Sequence, residues 1–341
     1  MKDFLRLTRP ANLSIIAATM VLMRYGVIGG NLERGLHQLI AEVGDVQRTD
    51  LILPPDLGPQ MPLVHFILLV LSTVLIAAGG NIINDYFDTR IDRINKPSGV
   101  IVGRTVKRRV AMTSHAVLSG LGFVLGAFVA WRSGLFKWAA IPAFAIGALW
   151  VYSTTFKRQL IMGNGLVAVL TALVPLTVGL YELPLMQRSF AEPWIVGLPN
   201  GDRYEMVPVF RELWYWILGF SGFAFLSTLV RELQKDMADV KGDEAEGCRT
   251  IPIAWGMKSA RALTLSYIGG IILLLLFLRW RILTDPITYW YMGIAVIGPL
   301  LLSAGFTYQA QSRSEHVRAG TIMKVAMVMA VGYALLIRYI P

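Results

Sequence analysis

The sequence predicts an all-α polytopic membrane protein, one bundle of about nine transmembrane helices around a central cavity open to the cytoplasmic side. Three observations carry this. Hydrophobic residues fill 55% of the 341 positions and charged residues only 16%, with a mean hydropathy of +0.56. A soluble domain carries about 25% charged residues. Several apolar runs exceed the roughly 18 residues that mark a membrane span. In hydrocarbon the backbone must satisfy its own hydrogen bonds, so these runs are expected to be helices. The whole chain, 1–341, reads as a single domain with two long connections, at 31–61 and 182–212.

Taken in order, the basic start and apolar core of the first thirty residues resemble a secretory leader without a small-residue cleavage site. They are read as a retained first span over 11–30. Asn12 stands at its entrance, as a helix-start residue or a functional one. Arg24 lies deep in the apolar run and should face the bundle interior or snorkel. Beyond it, Leu32, Leu36, Leu39, Ile40 and Val43 recur at helical spacing. That pattern predicts a short amphipathic helix on the membrane surface. The run LPPDLGPQMP then breaks any helix. Further spans are expected at 62–84, 110–131, 135–152, 163–181, 213–231, 261–280, 287–306 and 321–339.

With nine spans, the loops after even-numbered spans share a side with the N-terminus. Lys and Arg on that side outnumber those on the other by about two to one, which makes it cytoplasmic. The same bias explains the net charge of +10 without a nucleic-acid partner. Both long connections fall on the opposite face. The chain is therefore expected to be an integral, multi-pass protein, in the inner membrane if bacterial, in contact with membrane lipid. The single cysteine, Cys248, excludes an internal disulfide. The four histidines show no metal-ligand spacing.

Chemistry concentrates in two acidic stretches. In NIINDYFDTRIDRINKP, Asp85, Asp88 and Asp92 are spaced three and then four residues apart, which puts them on one helix face. Three like charges there repel, and the C-terminal end of a membrane helix disfavours anions. A cation removes both penalties. Hard oxygen ligands suit Mg²⁺, which usually shares its shell with substrate phosphates. The spacing returns once, in RELQKDMADVKGDEAEG, at Asp236, Asp239 and Asp243. A lone acidic helix end reads equally well as a solvated loop; two copies at the ends of two spans read as the two jaws of one site. Between Arg90 and Arg109 lie seven basic residues, of which Arg93 and Lys96 are near enough to the aspartates to contact phosphate.

These residues resemble the UbiA superfamily of membrane prenyltransferases. The family pattern N-D-x-x-D-x-x-x-D is met by Asn84, Asp85, Asp88 and Asp92, and its second pattern by Asp236, Asp239 and Asp243. A tyrosine and a lysine after the fourth span recur as Tyr152 and Lys157. The likeness runs from about Thr8 to the last span, the two long connections excepted. Within the superfamily, RELQKDMADVKGDEAEGCRTIPIAWG and YSTTFKRQLIMGN are most similar to the branch that geranylgeranylates geranylgeranylglycerol phosphate. One departure concerns donor binding. Where many members carry a second Arg-Pro pair after Lys96-Pro97, this chain reads SGVIVGRT, so that Arg104 substitutes or the contact is lost.

The resemblance implies an enzyme that moves a polyprenyl group from an allylic diphosphate to a lipid acceptor. Mg²⁺ held by Asp85, Asp88, Asp92, Asp236, Asp239 and Asp243 would stabilise the departing pyrophosphate. Asn84, Arg93, Lys96, Arg104, Tyr152 and Lys157 would bind substrate. The proton of an alcohol acceptor could go to a motif carboxylate or to the pyrophosphate. An aromatic acceptor (a quinone precursor) or a tetrapyrrole is the alternative within the class. Outside it stands an ion-coupled transporter, whose acids would lie near the bilayer midplane rather than at helix ends on one face.

Overall fold

The computed structural model describes residues 2–43, 50–53 and 57–340, with Glu42 and Val43 described by backbone alone. Val43 of the surface-helix stripe and Pro54 and Pro55 of the breaker therefore lie outside what is described. Among the described residues, nine helices are long and apolar enough to cross a membrane: Pro10–Ala41, Leu63–Phe87, Arg108–Arg132, Phe136–Thr154, Met162–Ser189, Phe210–Ala245, Gly256–Arg281, Pro286–Gln309 and Arg313–Leu335. Each expected span is found. The protein is an integral multi-pass membrane protein of all-α class.

Helix α1 (Lys2–Thr8) precedes the first span, which comprises α2 (Pro10–Val21), a π-turn at Leu22–Ile28 and α3 (Gly29–Val43). Span 2 is α4 (Leu63–Phe87), followed after one residue by α5 (Thr89–Asn95). Next come α6 (Arg108–Arg132), α7 (Ala140–Thr154) and α8 (Met162–Ser189), then strands β1 (Trp194–Gly197) and β2 (Arg203–Met206). Helix α9 (Phe210–Ala245) is the longest, at 36 residues. The chain closes with α10 (Ile251–Ala254), α11 (Gly256–Arg281), α12 (Pro286–Tyr291), α13 (Gly298–Gln309) and α14 (Arg313–Gly332). Helix α9 is the hub: α8, α14, α11 and α5 all pack on it, while α4 packs on α6 and α7. The outer surface is apolar, with Leu273, Phe277, Ile294 and Leu301 exposed, as lipid-facing positions should be.

The last span begins at Arg313 rather than near residue 321. Ser312 and Glu315 form a capping box there, with each side chain satisfying the other's backbone N–H, and this holds the helix start well outside the apolar run.

The region expected to lie on the membrane surface does something else. Helix α3 continues the first span, and its apolar stripe is covered by protein. Leu36 is buried in a cluster with Leu51, Val196 and Leu198. Ile52 pairs with Gly197 through two backbone hydrogen bonds of 2.9 and 3.1 Å, which docks the first connection on the β1–β2 hairpin of the second. The two long connections thus form one cap.

Arg24 turns inward, as its depth demands. Its Nε lies 2.8 Å from Glu182 Oε1, and both side chains are almost fully buried. Glu182 Oε2 accepts from the backbone N–H groups of Gln60 and Met61, and the Arg24 guanidinium donates to the Met61 carbonyl. The pair ties α8 and the first span to the cap. Ion pairs elsewhere sort by face. Arg338 meets Glu33 on the cap side at 3.4 Å, whereas Arg9–Asp85, Lys96–Asp239 and Arg313–Asp239 gather the N-terminus and the loops after spans 2, 6 and 8 at the other end.

Candidate active site

The first acidic stretch does not lie on one unbroken helix. Helix α4 stops at Phe87, Asp88 is a turn residue, and α5 carries Asp92. Asp88 keeps right-handed helical dihedrals (φ −79°, ψ −1°), so the three carboxylates still follow one another around a nearly continuous axis. The second stretch lies wholly within α9.

What brings the stretches together is Asn95. Its Nδ2 donates to the Asp239 carbonyl and its Oδ1 accepts from Gly242 N, each at 2.9 Å. A β-carbon at Gly242 would stand 2.5 Å from Asn95 Nδ2, so only glycine lets α5 seat here. Lys96 Nζ then reaches Asp239 Oδ2 at 3.6 Å, and Arg313 from α14 reaches Asp239 Oδ1 at 3.2 Å.

Three of the six motif carboxylates, Asp85, Asp88 and Asp239, carry a cation partner. Asp85 takes Arg9, Asp88 takes Lys157, and Asp236 accepts from Asn164 Nδ2 at 2.7 Å. Among the described residues, no three His, Cys, Asp or Glu side chains converge to hold a metal ion. The donor set still fits Mg²⁺, because that ion is usually held by one or two carboxylates plus substrate phosphates. All the donors are hard oxygens, and the buried Asn84 Oδ1 is left without a hydrogen-bond partner.

Lys157 and Lys96 reach the motif carboxylates. Tyr152 is buried and lines the cavity described below. Arg93 is exposed and makes no ion pair among the described residues, and Arg104 is exposed with only a 3.4 Å contact to the Pro97 carbonyl. Arg104 thus reaches no motif carboxylate among the described residues. Burial works against the Lys157 charge, but the Asp88 carboxylate outweighs it and holds the ammonium pKa above its ordinary value. Burial pushes the Asp92 carboxyl up, with Lys96 opposing and Asp88 reinforcing the shift.

A cavity of about 310 Å³ runs from this cluster into the bundle. Its head is polar, with Arg9, Asn84, Tyr152, Glu232 and Lys235 in the wall. Its depth is apolar, reaching Leu69, Pro142, Leu173 and Tyr181. From Asn84 to Leu69 along α4 is about 22 Å at 1.5 Å per residue. Sequence reasoning overlooked Arg9, Asn95, Asn164, Arg231, Glu232, Arg313 and Lys324. Glu232 and Lys235 sit three apart on α9, a spacing visible in the sequence, whereas Arg9 and Arg313 meet their partners only through tertiary packing.

A helix bundle with a chamber that is charged at one end and greasy along its length defines an intramembrane enzyme for an amphiphilic, anionic substrate. The model of the UbiA prenyltransferase family matches residues 57–328, and the chain belongs to that family. This sets aside the transporter reading. The chain is 26% identical to the digeranylgeranylglyceryl phosphate synthase of Thermococcus sibiricus over 81% of its length and 85% of that protein. It is 30% identical to the synthase of the same name from Methanothermobacter thermautotrophicus, over 77% of its length and 82% of that protein. The fold is shared with a UbiA homolog from Aeropyrum pernix K1 at a TM-score of 0.60 and 14% identity, covering 94% of this chain and 98% of that one. A UbiA homolog from Archaeoglobus fulgidus bound to GPP and Mg²⁺ matches at a TM-score of 0.55 and 16% identity, covering 98% and 99%.

Proposed function

We propose that this prenyltransferase is Mg²⁺-dependent, takes a geranylgeranyl diphosphate donor, and alkylates the free hydroxyl of a geranylgeranylated glycerol phosphate. The observation that carries the reading is one continuous cavity, polar beneath the two aspartate stretches and apolar beyond them. The names of the related synthases support the acceptor. The excess of Lys and Arg on the motif side supports a site open to the cytoplasm. The whole chain acts as one domain, with the two connections as its cap.

In this reading the donor's tail lies along α4, α7 and α8, between Asn84 and Tyr181. Its diphosphate meets Lys157 and Lys96 at the cavity head. The metal, when bound, would be held by Asp85, Asp88, Asp92, Asp236, Asp239 and Asp243 jointly with the diphosphate, and supplies Lewis-acid stabilisation of the leaving group. Lys157 and Lys96 add fixed positive charge where negative charge develops on the bridging oxygen. The C1–O bond of the donor breaks and pyrophosphate leaves with the electron pair. The acceptor oxygen forms the new C1–O bond and passes its proton to a motif carboxylate or to the departing pyrophosphate. The apolar wall excludes water, which would otherwise capture C1. Tyr152, at the junction of head and tail, offers a ring face to the developing allylic cation.

The test is product analysis by mass spectrometry. Purified protein receives labelled geranylgeranyl diphosphate and Mg²⁺ with the phosphorylated glycerol lipid, with an aromatic quinone precursor, or with neither. A diether from the glycerol lipid is expected; efficient prenylation of the aromatic compound with the glycerol lipid untouched overturns the acceptor assignment.

A further inference from the structure

A second group of cations lines the cavity, none of them ion-paired with a motif carboxylate among the described residues. Arg231 and Lys235 on α9 share one carboxylate, Glu232, at 2.6 and 3.3 Å. Lys324, on α14, also lines the wall. Its ammonium contacts Asn12 Oδ1 of α2, a neutral oxygen, and no carboxylate lies within ion-pair distance of it among the described residues. Three positive charges therefore stand against one negative charge within the bundle. All three cations are only half-buried, and such an excess at half-buried positions favours an anion that completes it.

The surroundings of Lys324 indicate what kind of anion. Met327 and Val328 lie three and four residues below Lys324 on α14, hence on the same helix face. Ile15 and Ile16 stand in the same relation to Asn12 on α2. Two neighbouring helices thus each present a polar residue at the head of the cavity and an apolar step beneath it. This slot is the α2–α14 side of the same cavity, whereas the donor path proposed above follows α4, α7 and α8. It matches a molecule with an anionic head and an apolar tail, and Arg231 faces the same space.

We propose that Lys324 and Arg231, with Asn12, form a subsite for the phosphate monoester of the acceptor lipid, whose chain descends between α2 and α14. The proposal rests on the acceptor assigned above. Two cations suit a dianionic monoester, which accepts several charge-assisted hydrogen bonds. On binding, Lys324 exchanges a neutral amide oxygen for phosphate. Arg231 can leave Glu232, because Lys235 remains to neutralise it.

The test measures binding without turnover. Labelled geranylgeranylglyceryl phosphate and its dephosphorylated form are titrated onto detergent-solubilised full-length protein in the absence of donor. Wild type, Lys324→Met, Lys324→Arg and Arg231→Gln are compared, each checked for folding by thermal unfolding. Wild type is expected to prefer the phosphorylated lipid by about tenfold or more, the scale of a charge-assisted hydrogen bond. Lys324→Met and Arg231→Gln should each lose most of that preference, and Lys324→Arg should keep it. Affinity for geranylgeranyl diphosphate should change less than twofold in every variant. Inorganic phosphate and phosphatidylglycerol, added as competitors, should displace the lipid poorly. No preference in wild type, an undiminished preference in both neutral variants, or a larger loss for the diphosphate each overturns the proposal. So does equal displacement by phosphatidylglycerol, which would make the slot an ordinary lipid site. Preserved binding preference with no diether product would instead sink the acceptor reading and leave the subsite standing.

Discussion

The ammonium of Lys157 rests on Oδ2 of Asp88, the same oxygen that accepts from Asn84 Nδ2 at 2.7 Å. Lys157 sits 69 positions further along the chain, in the turn after span 4. One carboxylate oxygen therefore fixes both the lysine offered to a diphosphate and the amide beside the apolar passage.

Asp88→Asn and Asp239→Asn keep shape and hydrogen-bonding capacity but remove the charge. Each is expected to lower turnover by about a hundredfold or more, the scale of losing one stabiliser of a developing charge. Thermal unfolding should shift little, and chelator should abolish the wild-type rate. Near-normal turnover in both variants would remove the two-jaw arrangement.

Asp92 binds its proton up to a higher pH than an ordinary aspartate, because burial and Asp88 outweigh Lys96. Only its ionised form is a metal ligand. The Mg²⁺ concentration for half-maximal rate should be constant above the raised pKa and climb as pH falls through it. Magnesium titrations at a series of falling pH values check this. Asp92→Asn should need more Mg²⁺ throughout and lose that part of the pH dependence.

Gly242→Ala sets a methyl group against the Asn95 amide. Overpacking of this kind costs about 1–3 kcal/mol and should part α5 from α9. Turnover is expected to fall more than stability. In a double-mutant cycle, Asn95→Ala should relieve part of the clash, so the combined loss falls short of the sum. Strict additivity of the two would show that the contact does not position the motifs.

Glu182→Ala strands Arg24 with its charge buried. Unfolding stability in detergent should fall by about 3–5 kcal/mol. Arg24→Met with Glu182→Leu should recover much of it, because two apolar side chains leave no orphan charge. Shortening the β1–β2 turn should likewise cost stability before catalysis. A selective change in acceptor preference with stability intact would place the cap in substrate selection instead.

Much of this was readable from the chain because membranes simplify the problem. Hydropathy located all nine spans, since hydrocarbon admits few alternatives to a helix. The doubled aspartate spacing pointed to the head of the cavity. Other features depend on partners that spacing cannot reveal. Arg93 lies within the first stretch and Arg104 shortly after it, yet both are exposed, Arg93 on α5 and Arg104 on a turn. Arg9 and Arg313 are far away in the chain and arrive beside Asp85 and Asp239 by packing. Lys324 is one lysine among many in the sequence, and only its contact with Asn12 sets it apart. The hairpin of residues 194–206 had no signature strong enough to compete with its Pro-rich surroundings, and Ile52 adds an edge partner to it from far away in the chain.

The buried cluster of Met20, Met23, Val27, Phe66, Val178 and Ile217 fills the cap-side part of the bundle, and Arg24–Glu182 lies among these helices. A charged head chamber set in a membrane invites leakage of protons and ions down the electrochemical gradient. Among the described residues, none of these side chains lines the cavity; they stand as packed protein on its cap side. Such packing lets a cell keep diphosphate, lysines and carboxylates within the bilayer without opening a leak for the potential across it.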